Sequence, residues 1–288
     1  MRRMSVVEVR PIETADAATV SEFLHRELNS KVSATAWGAL FAPPWSHEGP
    51  NHGYQLVDDG NVVGAYVAVY STRSLDSGVE PFCNLAAFCV REDYRVHSIR
   101  LVRALLGQKG FTFTDLSPSG NVIALNERLG FAKLDTATDL VLNAPTWPRR
   151  GTEVTEDPTR LEATLQGDDL RIYRDHRTAG AARHILTVRG GRVAYLMVRR
   201  DRRKGLPIFA SILHAGGDME LLLEMWPSVR THLLVRAGAL ATLADRRFGL
   251  DLPLARRLSQ PRPRMFRSRR VQANEVDYLY SELTLVQW

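Results

Sequence analysis

The chain has 288 residues, 44% of them hydrophobic and 24% charged, with a net charge of +6. That is the balance of a globular protein of one large domain or two ordinary ones, and it excludes disordered, fibrous and disulfide-framework classes. No apolar run approaches the roughly 20 residues needed to span a bilayer, and Met1-Arg-Arg-Met-Ser5 has no secretory core behind it, so a cytoplasmic location is expected.

From the N-terminus, Val9-Arg10-Pro11 reads as a first strand. Asp16 then precedes an apolar helix carrying Val20, Phe23 and Leu24. Trp37, Phe41 and Trp45, with Pro43-Pro44, form an aromatic segment, and His47 and His52 follow in the same loop. The histidines have no partners at metal-ligand spacing, so no metal is expected. Asp58-Asp-Gly-Asn61 is a strong turn between the strands Gln55–Val57 and Val62–Tyr70. Leu85 to Val90 is an apolar strand, followed by the charged turn Arg91-Glu-Asp-Tyr-Arg95. A helix from about Ser98 carries Ile99, Val102, Leu105 and Leu106 on one face. Phe111–Asp115 is the next strand, and a helix capped near Ser119 closes on Leu125-Asn-Glu-Arg-Leu-Gly-Phe131. Cys83 and Cys89 fall six apart around one strand, a spacing that suits neither a disulfide nor a metal, and they read as buried thiols.

Asn143-Ala-Pro-Thr-Trp-Pro-Arg-Arg-Gly151 is a break, placing domains at 1–145 and 146–288. The first carries 13 Lys/Arg and 16 Asp/Glu, the second 25 and 16, so the C-terminal half faces something anionic. Its order repeats the first half. Arg183–Val188 and Val193–Arg199 form a hairpin around Arg189-Gly-Gly-Arg192. Leu206–His214 is a strand, Met219–Trp226 a helix and Leu233–Arg236 a strand. Ala244-Asp-Arg-Arg-Phe-Gly-Leu250 lines up with the helix ending at Phe131. His214-Ala-Gly-Gly-Asp218 is a candidate anion loop between strand and helix. Arg199–Lys204 and Pro261–Arg270 are basic runs. Asn274 precedes Val276, Leu279, Tyr280 and Leu283, the spacing of a terminal helix.

The strand–turn–helix–strand–helix run from Asn84 to Phe131, closed by the Leu-Asn-Glu-Arg-Leu-Gly-Phe tail, resembles the acyl-donor half of the GNAT superfamily of N-acyltransferases. Val9-Arg10-Pro11 and the first helix are similar to that family's opening. The resemblance implies an α/β (α+β) mixed-sheet, acyl-CoA N-acyltransferase-like fold in two tandem GNAT-like domains, the second degenerate. It implies acetyl-CoA or another acyl-CoA as donor and an amine of a small molecule or protein as acceptor. Phe88, Cys89 and Val90 would align the pantetheine arm. Arg95, Val96, His97, Ser98, Ile99 and Arg100 would form the diphosphate turn, with Ser119 opening the next helix. Ser98 and Arg100 stand where the family has small residues. Asn126 stands where many members have the tyrosine that protonates the leaving thiolate, and an amide cannot do that. It is either an orienting group or a solvent-facing helix residue. No Glu lies within Leu85–Val90 to act as base, and Asn84 is the nearest polar candidate. The aromatic segment would line the acceptor side. Two other readings are a transferase whose donor is an acyl carrier protein or aminoacyl-tRNA docked on the basic half, and a non-catalytic GNAT-like binding or regulatory module.

Overall fold

A computed structural model describes residues 6–47, 49–75, 78–147, 151–203, 205–259 and 261–288. Its elements in chain order are β1 (Glu8–Pro11), α1 (Ala17–Glu27), α2 (Ala34–Gly38), β2 (Gly53–Asp58), β3 (Asn61–Leu75), β4 (Gly78–Val90), α3 (Ser98–Leu106), β5 (Thr112–Asp115), α4 (Gly120–Arg128) and β6 (Ala132–Lys133). There follow β7 (Thr138–Leu142), β8 (Thr152–Thr155), α5 (Pro158–Thr164), α6 (Gly167–His176), β9 (Arg183–Arg189), β10 (Arg192–Arg203), β11 (Leu206–Gly217), α7 (Met219–Glu224), α8 (Trp226–Ala237), β12 (Ala241–Asp245) and β13 (Arg256–Arg257). The last are β14 (Met265–Arg267) and α9 (Glu282–Leu285). No described helix is long and apolar enough to cross a membrane.

The described residues fall into two compact units. The first comprises the chain through Leu134 with Arg264–Val276 and Tyr280–Val286. The second comprises Asp135–Pro263 with Asp277–Leu279 and Gln287–Trp288. The first unit's mixed sheet has the order β1-β2-β3-β4-β5-β14-β6. Its β2–β3 turn takes Asp59 and Gly60 into left-handed conformations (φ 48° and 77°), the twist that a two-residue hairpin needs. The helix α3 presses Leu101, Val102 and Leu105 onto a core with Tyr66, Ala68, Phe113 and Phe131. Each such fully buried aliphatic side chain is worth about 1.5–3 kcal/mol of apolar burial.

The second sheet has the order β8-β9-β10-β11-β12-β7-β13, so position for position it repeats the first. In each, the sixth strand in the order (β14 in the first, β7 in the second) comes from a distant part of the sequence and sits one place in from the edge. The registers agree as well. In the first unit β4 pairs β5 in parallel from Phe82↔Thr112 to Asn84↔Thr114, and a bulge at Ala86 shifts its pairing to β3. In the second, β11 pairs β12 from Phe209↔Ala241 to Ser211↔Leu243, and a bulge at Leu213 shifts its pairing to β10. Both bulges lie two residues past the last parallel pair.

Three expected elements differ. Leu233–Arg236 is not a strand but the end of α8, whose Pro227 in the first turn and left-handed Gly238 cap mark a helix. The strand that follows is β12, and Ala244–Leu250 is its end plus a 3-10 turn, Arg246–Phe248, so the second unit has no counterpart of α4 in that stretch. The residues from Val276 to Leu283 do not form one helix. A 3-10 turn at Ala273–Glu275 and the short α9 flank Tyr280, which is itself left-handed (φ 55°). The spacing of Val276, Leu279, Tyr280 and Leu283 was that of burial, and all four are buried.

Candidate functional site

The first unit's sheet forks where β4 and β5 part. Their parallel pairing ends at Asn84 and Thr114, yet β4 runs on to Val90. Beyond Asn84 no described strand pairs with the β5 side of β4, and Phe88, Cys89 and Val90 lie half-buried along that edge. Unpaired strand edges carry backbone donors and acceptors that an extended ligand can satisfy.

A buried polar cluster fills the base of the fork. Asn84, fully buried, donates from Nδ2 to Glu282 Oε2, and its Oδ1 accepts from Thr114 Oγ1 at 3.0 Å. Ser117 Oγ donates to Glu282 Oε1 at 2.6 Å. Glu282 is thus 0% exposed with both carboxylate oxygens held. On the other face of β5, reached by strand alternation, Asp115 accepts from Asn126 Nδ2 at 2.8 Å. Asn126 is 2% exposed, which corrects the solvent-facing alternative: its amide orients a carboxyl group. Burial, and then the Glu282 charge, raise Asp115 from the ordinary 3.8 to about 7, against the opposing bonds from Asn126 and the Ser117 N–H. Tyr66, beside them, is pushed well up, chiefly by burial and then by Asp115.

The turn after β4 is helical. A 3-10 run, Glu92–His97, passes directly into α3, with Tyr94 N–H bonded to Arg91 O and Ser98 N–H to Arg95 O. His97, the residue before α3, is already helical (φ −90°, ψ −8°). The composite helix therefore begins at Glu92 and Asp93, whose charges suit its positive end. Arg100 Nη1 donates to Val7 O at 2.8 Å, while Arg95 lies 3.4 Å from Glu92 with both side chains largely exposed. Val96 is exposed and Ile99 packs on the core. Tyr94 OH donates to Asp58 at 2.5 Å and fastens the turn to β2. Ser119 is the N-cap of α4 in extended conformation, with no side-chain cap bond.

No protein family matches the chain by sequence, and no curated protein matches it. Solved structures do. A probable N-acyltransferase from Enterococcus faecalis superposes with a TM-score of 0.60 at 11% identity, over 93% of this chain and 74% of that one. A GCN5-related N-acetyltransferase from Anabaena variabilis gives 0.58 at 12%, over 91% and 72%. A putative acetyltransferase from Pyrococcus horikoshii gives 0.56 at 12%, over 98% and 94%. The chain has the GNAT fold. At such identities the likeness is one of fold, and what the site does has to be argued from its own residues.

Several expected features of a GNAT site fall elsewhere. Trp37, Phe41 and Trp45 are 4–5% exposed and serve the core rather than an open wall. Trp45 Nε1 donates to Tyr70 O at 3.0 Å and meets Tyr280 edge-on. His52, packed edge-on against Phe41, is lowered by burial and then by His47. The second unit's glycine loop is not an anion cradle. Its glycines still belong to β11, and a Cβ at Gly216 would sit 2.1 Å from Asp169 Oδ1. Asp169 also binds His214 at 2.9 Å, and Asp218 caps α7 through Leu221 N–H while holding Arg192. Carboxylates thus fill the place an anion would take.

Much of the basic runs is committed within the protein. Arg199 is buried with its guanidinium over Trp288, Arg262 pairs with Asp201, and Arg270 reaches Glu80. These three arginines are thus tied to neighbours, although Arg262 and Arg270 stay largely exposed; Lys204 lies outside the described residues. Neither cysteine is an activated nucleophile, since burial pushes Cys89 to about 11 and Cys83 higher still.

Glu282 and Asp115 were missed from sequence. Asp115 closes a predicted strand and carries a detectable signal, a lone acid at a strand end beside the Leu-Asn-Glu helix. Glu282 carries none, because it reaches Asn84 across 198 residues.

Proposed function

We propose that the first unit transfers an acyl group, most simply acetyl, from an acyl-CoA to an amine of a small molecule or protein. The observation that carries this reading is the fork with Glu282 at its base. The unpaired edge of β4 at Phe88–Val90 suits the amides of a pantetheine arm, with the thioester in the fork between β4 and β5. Glu282, fixed by Asn84 and Ser117, takes the proton of the attacking amine. Asn84 positions that carboxylate and is not itself the base. Positioning the amine against the thioester supplies most of the acceleration. The diphosphate falls to the turn Arg95–Arg100 that leads into α3. We further read the chain as two tandem domains, expected at 1–145 and 146–288, the second without its own donor site.

Calorimetric titration with CoA and acetyl-CoA, followed by mass-spectrometric detection of acetyl transfer to a panel of amines, tests the reading. Binding of the coenzyme with amine acetylation that Glu282→Gln abolishes is the expected result. Failure to bind either coenzyme at millimolar concentration refutes it. The closed 3-10 turn and the Arg100–Val7 bond favour one alternative, a GNAT-fold module that binds without catalysis. Coenzyme binding with no transfer to any amine selects that alternative.

A further inference from the structure

Acyl transfer from a thioester needs two proton movements on opposite sides of one carbon. The amine must lose a proton on the acceptor side, and the departing thiolate must gain one on the donor side. The family resemblance leaves the second role empty, since residue 126 is an asparagine. The fork supplies two carboxyl groups, not one. Glu282 touches the face of the sheet that carries Asn84 and Thr114. Asp115 follows Thr114 on β5, so it points to the opposite face, where Phe113 meets α3 and Asn126 projects from α4.

We propose that Asp115, held in place by the Asn126 amide, is the acid that protonates the departing thiolate. The proposal rests on the acyl-transfer reading above. In the step, the amine nitrogen bonds to the thioester carbon and the carbon–sulfur bond breaks. The amine proton passes to the Glu282 carboxylate, and the Asp115 proton passes to sulfur, giving amide and free thiol. Asp115 is left ionised and Glu282 protonated, and solvent exchange returns both to their starting states.

The surroundings decide why Asp115 holds a proton to give. The ionisable groups that interact with it are Glu282 from the C-terminal segment and Tyr66 from β3. Burial and Glu282 keep the proton on, bringing Asp115 to about 7, while Asn126 and the Ser117 N–H prevent a larger rise. Two carboxyl groups held by different partners on opposite faces of one strand is an arrangement that can divide acid from base duty. The Tyr66 phenol is no competing acid, because burial holds its proton far more tightly.

The test uses the full chain and free-thiol release from acetyl-CoA with the amine acceptor found in the panel, measured from pH 5.5 to 9, with CoA binding followed in parallel. The wild-type kcat is expected to fall as pH rises past about 7, where Asp115 loses its proton. Asp115→Asn, nearly isosteric, lowers kcat by roughly 100-fold and removes that falling limb, with CoA affinity unchanged. Asn126→Leu leaves the acid present but shifts the falling limb to higher pH, because the lost N–H bond had favoured the carboxylate. An Asp115→Asn protein with wild-type kcat and the same pH profile overturns the proposal while leaving acyl transfer standing. A wild-type protein that binds no CoA overturns both, and the binding measurement tells the two failures apart.

Discussion

Asp115 makes folding stability depend on pH in a direction opposite to most carboxylates. Its folded pKa is raised from 3.8 to about 7, so the folded protein holds a proton that the unfolded chain gives up. Below about 3.8 both states are protonated and the site costs nothing. Between about 3.8 and 7 only the unfolded chain ionises, and stability falls as pH rises; above about 7 both are ionised and the loss is complete. At about 1.4 kcal/mol per pH unit, the full loss is about 4 kcal/mol, of which about 3 kcal/mol falls between pH 5 and 8. Asp115→Asn removes this ionisation while its amide oxygen still accepts from Asn126. Urea unfolding of both proteins, followed by fluorescence of the buried Trp37 and Trp45, cancels pH effects common to the two. The mutant is expected to gain on the wild type by about 3 kcal/mol from pH 5 to pH 8. A difference between them that stays constant within about 0.5 kcal/mol over that range would refute the assignment of a buried, protonated Asp115.

Leu105→Ala empties a fully buried site between α3 and the sheet and should cost about 2–5 kcal/mol, read from the urea midpoint at unchanged slope. Gly216→Ala drives a methyl group into the Asp169 carboxylate, so it should weaken the His214–Asp169 pair and lower the melting temperature of the protein. Cys83, fully buried, and Cys89, half-buried, should react slowly with an aromatic disulfide reagent at pH 8 in the native protein and fully in denaturant; fast native labelling would contradict their raised thiol pKa values.

What the sequence made legible was local, and what it hid was long-range. The Asp58-Asp-Gly-Asn61 and Arg189-Gly-Gly-Arg192 turns specify their hairpins within a few residues, because left-handed backbone is cheap only for such residues. The amphipathic spacing of Val102 and Leu105 likewise marks α3 and the face it buries. Leu233-Leu-Val-Arg236 misleads because its branched, apolar residues suit a strand, while the signals that decide the helix lie outside the window, at Pro227 and Gly238. The terminal segment misleads differently. Its i, i+3, i+4, i+7 spacing is real burial, but the backbone meets it through a 3-10 turn, a left-handed Tyr280 and a single helical turn.

The site follows the same division. The strand, turn and helix from Asn84 to Phe131 are contiguous, so these elements could be read from residues alone. The charge that gives the fork its chemistry is not contiguous. Asn84, read alone, is a polar residue at the end of an apolar strand. Its function is to fix Glu282, and nothing at Asn84 encodes which of the chain's many acids will arrive there. Asn126 fared likewise: read as a lost tyrosine it signals a dead site, but its amide lies 2.8 Å from a carboxyl group that burial keeps protonated near neutral pH. The asparagine at 126 thus orients a carboxyl group of the neighbouring strand rather than leaving its position idle. That is why a motif read position by position marks this fork as degenerate, whereas its arrangement in space holds two buried carboxyl groups, Glu282 and Asp115, on opposite faces of β5.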